Sequence, residues 1–403
     1  MLQTWRWFGP DDPVPLDHIR QAGAEGIVTS LHHIPTGEAW SDTEILQRKT
    51  EIECDNNKKS PLYWRVVESV NVHDDIKVAA QGHEVYIQNY CETLKALGRQ
   101  GIHTVCYNFM PLIDWTRTDL KMELSSGAQA LGFDADKFAA FDLFILERDN
   151  AAQDYSPQEL DRAESTFQHM TSEEQIALTA TILAGLPGGT TGAHSLSSFK
   201  ASLARYQAIG DDELRQNLFN FLKQVVPVAD AAGVRLAIHP DDPPRPMLGL
   251  PRVLCTADDV RQLFKAVDHP ANGLTLCAGT FGVRADNDVP RMAEEFADRI
   301  YFSHLRGTKR EENPLSFHEA DHLESDVDML GLIYNLMQAE SRRPESPWQQ
   351  IPIRPDHGHQ MLDDLNKAEI NPGYTAIGRL KGLAEIRGAI AAMKRFARLE
   401  VHS

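Results

Sequence analysis

Short apolar, β-branched or aromatic runs recur along this chain, with helical patterns between them. The first four are TWRWF at 4–8, GIVTSL at 26–31, YWRVVES at 63–69 and HTVCYNFM at 103–110. Four more are RLAIHP at 235–240, GLTLCAG at 273–279, RIYFSHL at 299–305 and IPIRPDHG at 351–358. Apolar centres that end in polar or small residues suit strands buried on both faces of a parallel sheet. Between them, Leu214, Leu218, Phe221, Leu222, Val225 and Ala229 fall on one face of a helix from Glu213 to Ala232. Pro227 sits inside that helix and is expected to kink it. Two further helices are predicted, from Tyr86 to Leu97 and from Ala376 to Phe396. Eight strands alternating with helices predict a closed (β/α)8 TIM barrel. A doubly wound open sheet is the second arrangement, weakened because no GxGxxG follows the first strand.

A barrel of this kind needs about 250 residues, and the chain has 403. The excess concentrates between the fourth and fifth strands. Residues 111–212 carry helical patterns such as Glu173–Ala184 and a glycine-rich turn, LPGGTTGAHS, at 186–195. The expectation is one TIM-barrel domain over 1–403, with 111–212 as a helical insertion that serves as a lid or a dimer contact.

Composition narrows the partners. There are 58 acidic residues against 40 basic, a formal charge of -18, a field that repels nucleic acid and anionic membranes. The 42% apolar content supplies an ordinary core. The five cysteines are odd in number, widely spaced and without a CxxC, which fits free thiols in a reducing compartment. Neither a leader pattern nor a membrane-length apolar run is visible, so a cytoplasmic protein is expected.

The chemistry gathers at the strand ends, where such barrels hold their active sites. The last four strands end in His239, Cys277, His304 and Asp356. A lone histidine at a strand end is usually structural, and a lone buried cysteine is usually filler. Their joint placement on consecutive strand ends favours a first shell for a divalent transition metal, with two imidazoles, a thiolate and a carboxylate. The loop PDDPPRPMLGLPR after His239 carries five prolines and is expected to be a rigid wall. Arg245, Arg284, Arg306 and Arg354 lie within or just beyond strand ends, and one or two are candidates to hold a substrate carboxylate. HEADH at 318–322 matches the HExxH of zinc proteases. Its flanks are polar where a buried helix needs apolar ones, so it is expected as a solvated turn, or a loop in which His318 or His322 meets substrate. Tyr374 follows the turn made by Pro372 and Gly373, placed to pack or to move a proton.

Several long blocks together resemble the mannonate dehydratase family. They are TWRWFGPDDPV, VTSLHHIPTGE, TVCYNFMP with DWTRTDL, IHPDDPPRP, GVRADND, SHLRGTKREENP, RPDHGHQMLDD and NPGYTAIGRLKGLAEIRG. The resemblance runs from end to end, with CDNNKKSPLYWRV at 54–66 as a longer segment away from the mouth. It implies a sugar isomerase-like TIM barrel that dehydrates D-mannonate to 2-keto-3-deoxy-D-gluconate with Mn2+ or Fe2+. It implies metal ligands at His239, Cys277, His304 and Asp356, and catalytic roles for His357 and Tyr374. Which of those two is base and which acid stays open, with a preference for Tyr374 as base. Arg306, His318 and Arg284 are the expected substrate contacts, and a homo-oligomer, a dimer, is the expected assembly. A sugar isomerase, or a dehydratase of another aldonic acid, on the same barrel is the alternative.

Overall fold

Strands that are apolar on both faces need a packed layer on each side, and this chain builds both. The structure, a computed structural model, describes residues 1–185 and 195–400. Most of the expected glycine-rich turn, residues 186–194, lies outside the described residues. In chain order the first strands are β1 (Leu2–Arg6), β2 (Gly26–Thr29), β3 (Tyr63–Glu68), β4 (Thr104–Tyr107), β5 (Asp119–Glu123) and β6 (Gln129–Phe133). Then follow β7 (Arg235–Ile238), β8 (Asn272–Cys277), β9 (Ile300–His304), β10 (Thr308–Arg310), β11 (Phe317–Glu319) and β12 (Pro352–Arg354).

Eight of these close into an all-parallel barrel in the cyclic order β1-β12-β9-β8-β7-β4-β3-β2. All eight strands expected from the apolar runs are barrel strands, so the TIM barrel is the fold. Neighbouring positions divide between the two layers, as the period of two requires. Ile27, Val67, Val105 and Leu236 join the large outer core under the helices. Val28, Val66, Cys106, Ala237 and Phe302 fill the barrel. The predicted helices form as Glu84–Arg99, Ser172–Ala184, Asp211–Ala231 and Ala376–Glu400. Asp211–Ala231 continues as one helix through Pro227.

The segment between β4 and β7 is not helical throughout. It opens with the β5–β6 hairpin, which joins the hairpin after β9 in an antiparallel sheet of order β10-β11-β6-β5. Phe317 lies opposite Phe133 in that register, and their rings stack at 5.5 Å. These strands are short and mixed in polarity, such as TKR and FHE, so neither helical nor strand periodicity marks them. The insertion has its own apolar cluster, including Phe138, Phe141, Leu178 and Phe199. Met247 and Leu248 of the proline-rich loop belong to the same cluster, which fixes that loop between the barrel and its cover.

Two close backbone approaches hold the last loop, which bears Asp356 and His357, against the start of the final helix. A Cβ at Gly378 would meet the carbonyl oxygen of His359, and one at Gly358 would meet the backbone of Gly378 and Arg379. Gly373, at φ +78, makes the turn into Tyr374. Gly378→Ala must therefore displace backbone, which does not yield as a flexible side chain does. We expect a stability loss of about 1–3 kcal/mol, read by chemical denaturation, together with at least a tenfold loss of turnover.

Candidate active site

The C-terminal rim of the barrel collects charged side chains that burial forces into pairs. Glu68, at the end of β3, lies 2.9 Å from Arg354 and 3.0 Å from Arg6. Arg354 also pairs with Asp356. Across the rim, Asp242 pairs with Arg117 at 3.0 Å and with Arg306 at 2.6 Å. Glu319 pairs with Arg306 at 2.7 Å and with Arg117 at 3.0 Å. All eight of these groups are buried. Burial raises the cost of each carboxylate charge, but the guanidiniums win. Glu68 and Asp356 are held well below the usual carboxylate range, first by Arg354. Asp242 and Glu319 are likewise held low, by Arg117 and Arg306 in the first case and chiefly by Arg306 in the second.

Within this frame, His239, Cys277 and His304 bring one ligand atom each to within 4.8 Å of one another. His239 follows β7 directly, while Cys277 and His304 end β8 and β9 and sit side by side in register. The His239 Nδ1 lies 2.7 Å from the Pro240 carbonyl. Donation there fixes the tautomer and leaves Nε2 with a free lone pair. Both ring nitrogens of His304 are buried without a hydrogen-bond partner, although Glu68 lies 3.2 Å from Nε2 and Asp356 3.6 Å from Nδ1. Two imidazoles and a thiol in this arrangement suit a borderline divalent cation, and an imidazole with both nitrogens unpartnered fits the role of a ligand to it. Asp356, the expected fourth ligand, turns one oxygen to Arg354 and the other to within 4.0 Å of the Cys277 sulfur. It adopts φ +66, a left-handed conformation that costs a non-glycine residue on the order of 1–2 kcal/mol.

His357 and Tyr374 come together beside this cluster. The His357 Nδ1 is 3.1 Å from Glu319, and its Nε2 is 3.1 Å from the Tyr374 hydroxyl. Burial, and then the charge of Asp356, push the Tyr374 hydroxyl above its usual pKa, so it keeps its proton at neutral pH. Trp115, from the insertion, stands edge-on to His357 with ring centroids 5.9 Å apart, and its indole N–H has no partner. A cavity here is lined by His239, Asp356, His357, Tyr374, Arg306 and Trp115, among others.

The remaining expected residues are placed differently. Arg306 lines the cavity, but its guanidinium is taken up by Glu319 and Asp242. Arg284 pairs with Asp286, and His318 lies against Glu311; neither lines this cavity. HEADH is not a solvated turn. Its Glu319 ends β11 and is buried at the centre of the charge network, and His322 is buried with Nε2 2.7 Å from the Pro355 carbonyl. Glu68, Asp242, Arg117 and Arg6 were not singled out from the sequence. For Glu68 the available signal was a charge closing the apolar strand YWRVVE.

Asp242 and Glu319 titrate lower in the folded protein than in the unfolded chain. Their stability contribution is complete above the unfolded value of about 4 and is lost as pH falls through and below it. The melting temperature should hold level down to about pH 5 and then fall. Glu319→Gln leaves two guanidiniums short of a partner and should cost about 3–5 kcal/mol at pH 7. Its acid slope should be shallower than that of the unaltered protein, measured by calorimetry from pH 7 to pH 3.

The sequence model of a family described as D-mannonate dehydratase (UxuA) matches residues 1–400. The chain is 53% identical over 397 residues to the mannonate dehydratase of Chromohalobacter salexigens, covering 98% of this chain and 100% of that protein. It is 48% identical over 396 residues to that of Saccharophagus degradans, covering 98% of each. A solved structure of mannonate dehydratase from Streptococcus suis serotype 2 superposes with a TM-score of 0.75 at 31% identity, covering 98% of this chain and 94% of that one.

Proposed function

Because the chain belongs to the D-mannonate dehydratase family, and is thus a hydro-lyase, we propose that it converts D-mannonate to 2-keto-3-deoxy-D-gluconate in hexuronate catabolism, with Mn2+ or Fe2+ as its metal. The observation that carries this reading is the approach of His239, Cys277 and His304 to within 4.8 Å, beside the His357–Tyr374 pair.

The reaction breaks the C2–H bond next to a carboxylate and expels the hydroxyl from C3. The C2 proton is barely acidic, because the neighbouring carboxylate is already negative. His239, Cys277 and His304, with Asp356 adjacent, would hold a divalent cation, which would supply Lewis acidity toward the substrate carboxylate. The protein supplies the proton transfers. Glu319 lies 3.1 Å from His357 Nδ1 and sets that side of the ring against a carboxylate, so Nε2 is the acceptor for the C2 proton. Tyr374 retains its proton in this buried setting, so it donates to the departing C3 hydroxyl. That order reverses the preference drawn from sequence, on the ground that Glu319 stands at His357 Nδ1 and leaves Nε2 to act as base. Tautomerisation of the resulting enol gives the 2-keto acid.

Three measurements test the reading. Anaerobic reconstitution with Mn2+ or Fe2+, followed by a panel of aldonic acids, should give a 2-keto-3-deoxy product from D-mannonate. Cys277→Ser should lower metal content and turnover together. Tyr374→Phe should keep the metal and lose at least a hundredfold in turnover, in line with the usual worth of a general acid, while solvent deuterium still exchanges at C2. His357→Asn should lose the exchange as well. Full turnover in Tyr374→Phe would remove the tyrosine from the chemistry.

A further inference from the structure

The cavity at the cluster has a neighbour. A second cavity lies over the ends of β1, β2 and β3, and the two share Arg6, Ser69 and Asp114. The proposed chemistry engages C1 to C3 of a six-carbon acid and leaves three hydroxyl-bearing carbons to be housed. On that dehydratase reading, we propose that the second cavity is the subsite for the polyol end of the substrate, with Asp114 and His32 hydrogen-bonding its distal hydroxyls.

Two orphaned polar atoms carry the argument. Asp114 Oδ1 and His32 Nδ1 are both shut off from solvent and without a hydrogen-bond partner, and both residues line the cavity. Nearly every buried polar atom in a folded protein is satisfied, so two unmet atoms on residues that line one cavity point to a ligand that meets them. Their chemistry selects the kind of ligand. Burial raises the Asp114 carboxyl above its usual pKa. Burial, followed by the cations of Arg6 and Arg48, pushes the His32 imidazole down to about 3. A neutral imidazole beside a carboxyl offers both a donor and an acceptor, as a row of hydroxyls requires. It is a poor setting for an anion, so the substrate carboxylate is directed to the other cavity. Arg6 stands between them, with one guanidinium nitrogen 3.5 Å from His32 Nε2 and the other 3.0 Å from Glu68. The stacked rings of His73 and Tyr86, with centroids 3.7 Å apart, contribute a flat wall.

The subsite makes chain length the property read at Asp114. The test is steady-state kinetics of the metal-loaded full chain with D-mannonate, with a four-carbon aldonic acid of the same C2–C3 configuration as a competitive inhibitor. Asp114→Ala should raise KM for D-mannonate about tenfold, the upper end of the worth of one ordinary hydrogen bond. It should change kcat less than threefold and leave the inhibition constant of the four-carbon acid unaltered. Asp114→Asn, which keeps an acceptor, should recover part of the loss. The melting temperature of each variant reports whether it folds. An equal effect of Asp114→Ala on both acids, or none on either, would overturn the subsite while leaving the dehydratase reading intact. Failure of the unaltered protein to dehydrate D-mannonate would remove that reading, and this one with it.

Discussion

The rim of this barrel depends on a balance of buried charge. Four guanidiniums, those of Arg6, Arg117, Arg306 and Arg354, face four carboxylates, those of Glu68, Asp242, Glu319 and Asp356. An isolated charge in such a place costs several kcal/mol, so no member can leave without exposing its partners. Each carboxylate but Asp242 also approaches an imidazole: Glu68 and Asp356 approach His304, and Glu319 approaches His357. The network thus orients the functional side chains while settling its own electrostatics. The paired guanidiniums set the direction of every carboxylate shift in the set. Desolvation alone would neutralise these acids, and the paired guanidiniums keep them ionised.

This network also explains why the insertion is more than a cover. Arg117 sits at its base and reaches both Asp242 and Glu319, while its guanidinium lies 4.5 Å from the Trp115 ring centroid. Trp115 in turn meets His357. Arg252, from the wall after β7, donates to the Ile113 carbonyl at 2.8 Å. The cover and the barrel mouth therefore share one set of contacts. Removal of the insertion would strip the acid–base pair of a neighbour and the ion network of a cation.

Much of this was legible in the chain. The eight strands announced themselves because both faces are buried, and their terminal residues His239, Cys277 and His304 stood out as polar ends on apolar runs. The charge network did not. Arg354 and Glu68 are 286 residues apart, and Arg117 and Asp242 are 125 apart. A single charge in a polar segment looks solvated until its distant partner is known. That is why HEADH was read as a surface turn when its glutamate is the hub of the site. The β10–β11 hairpin was missed for a related reason. TKR and FHE carry no apolar alternation, and only pairing with β6 gives them a sheet to belong to.

The same charge accounting bears on which substrates suit the site. The four ion-paired cations and four anions cancel, so the rim on its own is close to neutral. On the proposed reading, a divalent cation held by His239, Cys277 and His304 would add positive charge to this otherwise balanced rim, and an acidic substrate would offset it on binding where a neutral aldose would not. No single arginine is reserved for the substrate carboxylate: Arg306 and Arg354 are already committed to the protein's own acids.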